Sequence, residues 1–438
     1  MVLAPVAAGR EPGLRVLLES MNGAPGTADP CNAVLPFGAF ERLHFARLIL
    51  LDDATMADFE AFGLARPRLP TCLALLGDCD GPAQETLAEL AQRAGAGLRL
   101  LFAHCDGFDS PGNLLAWMLA HDQPSAASYV NWVGRSVRQV QQERALQRML
   151  ASSVPRQLIA SAVDAQRVRR ELIAAVDAEV RAGRLVLTPS EPTPLRWQLS
   201  NIGHAIGVPL LGAAVLAVPF VLMPPLIAVL LLGLVVLLLA VQLRMRETSD
   251  PEFCPQPDPA AVLAMQRIED HDVTNQFTAL GAVKPGRFRR FLVTVLLVLI
   301  DYACRHVFTR GYLARVRTIH FARWTFVDGK TRVLFASNYD GGHEAYMDDF
   351  INKVAWGLNL VFSNGFGWPR TDWLVMRGAR REQLFKHYQR RHQLPSQVWY
   401  NAYPGLTAVD LDRNHRIRAG LERVEMSDAG ALAWLRLL

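Results

Sequence analysis

The chain has 438 residues, 51% of them hydrophobic, and a net charge of +5. That length exceeds one ordinary domain. The modest positive charge forms no basic face interleaved with aromatics, which excludes nucleic acid as a partner. The six cysteines form no C-x-x-C pair, which fits free thiols in a reducing compartment and excludes a disulfide framework or structural zinc.

In chain order, residues 1–35 read as an N-terminal segment without the basic-then-apolar pattern of a cleaved signal. Residues 36–155 read as a first α+β repeat. It carries Leu43-His44-Phe45-Ala46-Arg47, which runs into an apolar strand, and Gly77-Asp78-Cys79-Asp80-Gly81. Residues 156–200 read as a connector with an amphipathic helix over Gln157 to Ala182, its face formed by Leu158, Ala162, Leu172, Val176 and Val180.

Residues 201–245 read as a hydrophobic helical hairpin. From Ala205 to Val241 run 37 consecutive residues without a charged or polar side chain, a length that a bilayer uses and a globular core does not. Pro224-Pro225 divides the run into stretches of about 18 residues, each about 27 Å long as a helix. The expectation is a transmembrane or re-entrant hairpin, with one long helix kinked at the prolines as the alternative. Arg196, Arg244 and Arg246 flank it, and the positive-inside tendency then puts the attached domains on the cytoplasmic side of a bacterial-type inner membrane. Residues 246–310 read as a Pro-rich linker followed by an interfacial helix. The apolar stretch Phe291 to Ile300 is too short to span and follows Arg287, Arg289 and Arg290.

Residues 311–425 read as a second α+β repeat, and 426–438 as a tail. Ile319-His320-Phe321-Ala322-Arg323 restates the first pentapeptide. Asp340-Gly341 through Trp368 aligns without gaps on Asp80-Gly81 through Phe108 at an offset of 260, with seven of 29 positions identical; about two are expected by chance. A third block, at an offset of 271, pairs His121 with His392, Pro124 with Pro395, Ser125 with Ser396 and Gly134 with Gly405. Three blocks in one order read as a duplication.

Within the second copy the pattern predicts strands over 320–327 and 332–337, then a helix capped by Asp340. A strand over 373–376, a helix over 382–391 and a strand over 397–403 follow. The expected fold class is α+β: two tandem diverged ferredoxin-like repeats forming a pseudo-dimeric α+β barrel, with the hairpin inserted between them. Pairing of the copies needs both on one side of the membrane, which favours two crossings over one.

The polar residues present in both copies are His44/His320, Arg47/Arg323, Asp80/Asp340 and His121/His392. A His and an Arg three apart on a strand face opposite ways unless the strand bulges. Asp-Gly is accounted for by a cap or a turn, so fold maintenance explains the set. The second copy also holds Trp324, Tyr339, Tyr346, Trp356, Trp368, Trp373, Trp399 and Tyr403 where the first is mostly aliphatic, a composition that suits a cleft for an apolar small molecule. Glu269-Asp270-His271-Asp272 reads either as a metal site or as a solvated charge run.

Gly77-Asp78-Cys79-Asp80-Gly81 has the form G-x-x-D-G and resembles the motif of dye-decolourising peroxidases, whose fold is likewise a duplicated ferredoxin-like barrel. The second copy, Ser337-Asn338-Tyr339-Asp340-Gly341, lacks the first glycine. The resemblance implies a haem-dependent, peroxidase-like oxidoreductase acting on a lipid-soluble substrate. It implies Asp340 as acid–base group and Arg323 as charge stabiliser, with Asp80 and Arg47 as their counterparts. It further implies His392 or its counterpart His121 as the iron ligand, with His320 and Tyr339 beside the cofactor. The expected partners are the lipid bilayer and an apolar small molecule. The alternative from another class is a non-catalytic, membrane-anchored interaction or scaffold protein.

Overall fold

The computed structural model describes residues 1–52, 54–109, 112–153 and 164–438. The chain opens with β1 (Val2–Pro5), α1 (Glu11–Glu19), β2 (Asn22–Ala24), β3 (Thr27–Ala28), β4 (Leu43–Leu51), α2 (Asp58–Ala61) and β5 (Cys72–Cys79). It continues through α3 (Ala83–Arg93), α4 (Gly95–Phe102), α5 (Leu114–Ala120), β6 (Ala127–Val130) and α6 (Val137–Ser153). Four helices follow: α7 (Ala165–Arg181), α8 (Leu195–Leu222), α9 (Pro225–Ser249) and α10 (Pro259–Gln266). The second part holds β7 (Thr274–Ala282), α11 (Arg287–His306), β8 (Ile319–Val327), β9 (Arg332–Asp340) and α12 (His343–Phe362). It ends with β10 (Thr371–Asp372), β11 (Met376–Arg377), α13 (Glu382–His392), β12 (Ser396–Asn401), α14 (Ala408–Glu422) and α15 (Asp428–Leu435). The architecture is mixed α+β.

One sheet has the order β1-β5-β4-β12-β3-β2 and the other β6-β8-β9-β7. Each therefore contains a strand from the other part of the chain: β12 lies antiparallel on β4, and β6 antiparallel on β8. Just before it crosses, each of these strands touches its own part. Asp122 bridges Val2 and Gln393 bridges Ala279. The Leu3 amide donates to His121 O and the Leu394 amide to Thr278 O.

Both faces of β4 are covered, so its sequence is a continuous apolar run rather than an alternation. Leu48 and Leu50 pack outward with Leu98, Leu101 and Phe102 of α4 in one core. Ile49 and Leu51 point the other way and meet Leu280, Leu334 and Ala336 of the opposite sheet. Each such leucine contributes about 2 kcal/mol on burial. The register of β4 on β5 shifts between Leu43 and Phe45, and that of β8 on β9 between Ile319 and Phe321. His44 and His320 thus sit at strand bulges, which turn the histidine and the arginine three residues later to the same side.

Several expectations change. Residues 2–28 are no separate segment, since β1 pairs with β5 and α1 buries Leu14 and Leu18. Residues 246–310 are more than a linker. There β7 pairs with β9 over nine residues, and α11 packs Val293, Leu297 and Cys304 into the core under the second sheet. The strand predicted over 373–376 is a turn between the two-residue strands β10 and β11. Of the helix predicted over 157–182, α7 buries Leu172 and Val176, while Leu158 and Ala162 lie outside the described residues.

α8 and α9 are long and apolar enough to cross a membrane, with mean hydropathy of 2.4 and 3.1 in their most apolar windows. At 28 and 25 residues they run about 42 and 37 Å, beyond the roughly 30 Å of a hydrocarbon core. Met223 and Pro224 are extended between them. The outer end of each helix is held by the second part of the chain. Arg305 Nε donates to Asn201 Oδ1 at 2.8 Å and the Tyr302 hydroxyl to Ala205 O at 3.1 Å. At the end of α9 the buried Glu247 carboxylate accepts the Thr371 hydroxyl and the Trp373 and Leu374 amides, each at 2.8 Å. Asp250 just beyond it binds Arg289 at 2.7 Å and Lys284 at 3.0 Å. Two helices fixed to one body at their far ends form a hairpin, not one kinked rod.

Gly97 and Gly357, aligned at the offset of 260, separate on packing. A Cβ at Gly97 would lie 1.6 Å from Val34 O, whereas one at Gly357 meets nothing within 4 Å. In detergent, urea unfolding of Gly97→Ala is expected to show a loss of about 3 kcal/mol from overpacking. Gly357→Ala is expected to be neutral or to gain up to about 1 kcal/mol in helix propensity.

Candidate functional site

Three of the four polar pairs shared by the two parts converge between the sheets. Arg47, fully buried on β4, donates to Phe277 O at 3.0 Å, Thr278 Oγ1 at 2.9 Å, Ser337 O at 3.1 Å and Asn338 Oδ1. Arg323 on β8 donates to Gly77 O at 3.1 Å and Asp78 Oδ1 at 3.3 Å. Ser337 and Asn338 are the counterparts of Gly77 and Asp78, so the two arginines reach corresponding points on opposite strands. Between them Asn338 Nδ2 donates to Asp78 Oδ2 at 2.9 Å. Burial pulls the Arg47 guanidinium down to about 10, with Asp78 opposing the shift, and it stays charged at neutral pH. The cavity beside Arg47, Asp78 and Arg323 is about 10 Å³, room for at most one water.

Farther along the strands lie two His–Asp pairs. His44 Nε2 is 3.0 Å from Asp80 Oδ1, and its Nδ1 is 3.1 Å from the Tyr403 hydroxyl. His320 Nε2 is 2.6 Å from Asp340 Oδ1. The second oxygen of each carboxylate meets the start of the helix that follows an exchanged strand. Asp80 Oδ2 accepts the Val137 amide of α6 at 3.0 Å, and Asp340 Oδ2 the Ala408 amide of α14 at 2.7 Å. A carboxylate there satisfies an orphan amide and complements the helix dipole. Asp340 does not cap α12 as expected, since Gly342 stands at that N-cap without a side-chain bond. Phe45, stacked on Trp399 and edge-on to Phe321 and Tyr403, fills the space between the pairs.

His121 and His392 also correspond in geometry. His121 closes α5, stacked on Trp117 at 4.0 Å with Nδ1 2.8 Å from Trp117 O. His392 ends α13, stacked on Tyr388 at 4.0 Å with Nδ1 2.9 Å from Tyr388 O. Each ring nitrogen lies within hydrogen-bonding distance of the carbonyl four residues earlier, in the last turn of its own helix.

Of the five residues expected around a cofactor, three share the interior: His320, Asp340 and Arg323. Tyr339 lies on the helix-covered face, stacked on Tyr346 at 3.8 Å. His392 lies against Gly281, seven residues along β7 from Thr274, the partner of Asp340. That separation is about 23 Å. The five do not surround one space: Arg323 lines a cavity of about 10 Å³, His320 and Asp340 are bonded to each other, and the set does not fit a haem. Among the described residues no three His, Cys, Asp or Glu side chains converge as a metal site. The acidic run disperses: Glu269 binds Arg390 and Gln393, Asp270 accepts the His343 amide and Asp272 the Gly405 amide.

The aromatics of the second copy pack as a core, with Trp368 edge-on to Phe385 and Tyr388; Trp356 and Trp373 are exposed instead. Sequence reasoning assigned no role to Asp78 or Asn338 and counted Tyr403 only among the aromatics of a cleft. The first two occupy aligned positions that differ, and a search for identities skips them. Comparison with protein-family models, curated proteins and solved structures gives no match to this chain.

Two outcomes follow from the buried charges. Arg47→Met strands the Ser337 and Phe277 carbonyls and is expected to cost about 3 kcal/mol, against about 1 kcal/mol for the partly exposed Arg323→Met, read by urea unfolding. His343, buried beside Arg390, has its imidazolium form disfavoured down to about 4. The unfolded chain therefore takes up this proton first, and stability falls as pH drops from about 6.5 towards 4. His343→Phe is expected to flatten that slope.

Proposed function

We propose that this chain is a membrane-anchored, non-catalytic scaffold. In this reading two diverged copies of one ferredoxin-like unit form a pseudo-dimeric α+β barrel carried on a helical hairpin. The observation that carries it is where the shared polar groups go: Arg47 and Arg323 each bind the opposite copy's backbone and Asp78 or Asn338. Asp80 and Asp340 hold the helices that follow the exchanged strands. The three interior pairs serve the joint between copies rather than facing a reacting molecule.

Further support comes from topology. Each copy runs strand–helix–strand–strand–helix–strand, with orders β1-β5-β4 and β7-β9-β8, and each donates its fourth strand to the other. With the bridges at Asp122 and Gln393 the strands form a ring of eight that leaves few edges free. The aligned glycines agree in conformation too. Gly81 and Gly341 have φ of 79° and 85°, and Gly134 and Gly405 have 88° and 76°, backbone that residues with a Cβ seldom adopt. Arg196, Arg244 and Arg246 beside the hairpin support a cytoplasmic position for both copies.

The test combines topology with spectroscopy. Reporter fusions at the two termini are expected to report the same, cytoplasmic, side. Protein purified in detergent and mixed with haemin is expected to show no Soret band beyond that of free haemin. A Soret band that disappears in His392→Ala would overturn the non-catalytic reading in favour of a peroxidase-like one, and opposite-side reporters would overturn the paired-copy anchor.

A further inference from the structure

We propose that the second copy is seated on the bilayer through an apolar shelf formed by Phe291, Val295, Val298 and Leu299 of α11 with Trp373 and Met376 of the β10–β11 turn. The occupant is the surface of the membrane that takes the hairpin, so the inference rests on the hairpin reading and adds to it.

α11 spans the ground between the two feet of the hairpin. Near its start Arg289 binds Asp250 at the end of α9. In its last turns Tyr302 and Arg305 bind Ala205 and Asn201 of α8. A bilayer crossed by α8 and α9 therefore passes both ends of α11. One face of this helix, with Val293, Leu297 and Cys304, is in the core. The face that remains is apolar, with Phe291 59% and Leu299 57% exposed. Positions 291, 295, 298 and 299 fall on one stripe of a helix. Arg287 and Arg290 are exposed in its first turn, where they suit anionic lipid headgroups.

The β10–β11 turn supplies an independent observation. Trp373, Leu374 and Arg377 have φ of 53°, 61° and 54°, a left-handed backbone that costs side-chain-bearing residues of order 1–3 kcal/mol each. The buried Glu247 carboxylate of α9 holds the turn there by accepting the Trp373 and Leu374 amides. Asn359 of α12 holds its far side through the Val375 and Arg377 carbonyls. Anchored in this way, the turn leaves Trp373 and Met376 more than half exposed, with the Arg244 guanidinium 5.5 Å from the Trp373 ring. Tryptophan beside arginine is the pairing found at headgroup level. Trp356, one turn before Asn359, is exposed as well. The foot of α9 thus fixes a strained turn that leaves two large apolar side chains exposed beside the foot of the hairpin.

The full chain, with Cys31 replaced by Ser, is reconstituted into vesicles of phosphatidylcholine and phosphatidylglycerol. A polarity-sensitive fluorophore is attached to Met376→Cys, Leu230→Cys or Val16→Cys, and quenching by brominated lipid is measured. The expected result is strong quenching at 230, quenching at 376 best with bromine near the headgroup, and none at 16. In Glu247→Gln, which keeps the shape of the side chain and removes its charge, quenching at 376 is expected to fall at least twofold while that at 230 stays. Quenching at 230 with 376 as unquenched as 16 would overturn the shelf and leave the hairpin standing. No quenching at 230 would overturn both.

Discussion

Strands β6 and β12 leave the halves that produce them and complete each other's sheets, and most of the fold is arranged around that exchange. A sheet edge presents a row of unpaired amides and carbonyls that water or another strand must satisfy. Here each edge beside β4 or β8 is satisfied from the far half, so neither half closes its own sheet. The long segment between β6 and β7, hairpin included, has to leave and return on the same body. The clamps at Asn201, Glu247 and Asp250 accomplish that. Loop closure becomes costlier only slowly with length, which makes such an insertion tolerable once its ends are held.

The exchange also explains why charged groups lie between the sheets. A buried guanidinium is costly unless its donors are matched, and a matched one is costly to remove. Arg47 meets four acceptors on the opposite half, and no other pairing of strands offers the same set. The aromatic cluster around Phe45 supplies burial without direction, whereas the arginines supply register. Stability and specificity therefore come from different layers of the same interface.

Much of this was legible in the chain. The repeated pentapeptides fall on β4 and β8, and the prolines of the apolar run fall on the turn between α8 and α9. The condition attached to His320 and Arg323, that a bulge would be needed for both to face inward, is met at that position. What could not be read was the exchange itself, because a strand's sequence encodes which of its faces are buried and not whose neighbour it is. Asp340 looked like the cap of the helix beside it in sequence, and it caps α14, 68 residues later, instead. β7 was hidden because its polar residues Thr274, Asn275 and Gln276 are buried by tertiary partners, against the alternation that marks a strand. His392 aligned correctly with His121, yet alignment carries no distance to Asp340.

The contact between Asp78 and Asn338 has a consequence for assembly. Were the first half to pair with a second copy of itself, two Asp78 carboxylates would meet within hydrogen-bonding distance, a like-charge pair that repels away from water. Were the second half to do so, two Asn338 amides would meet and both Arg323 side chains would lack the Asp78 carboxylate. One acid and one amide suit each other, whereas two acids repel. The difference at this single aligned position favours one half of each kind over two alike.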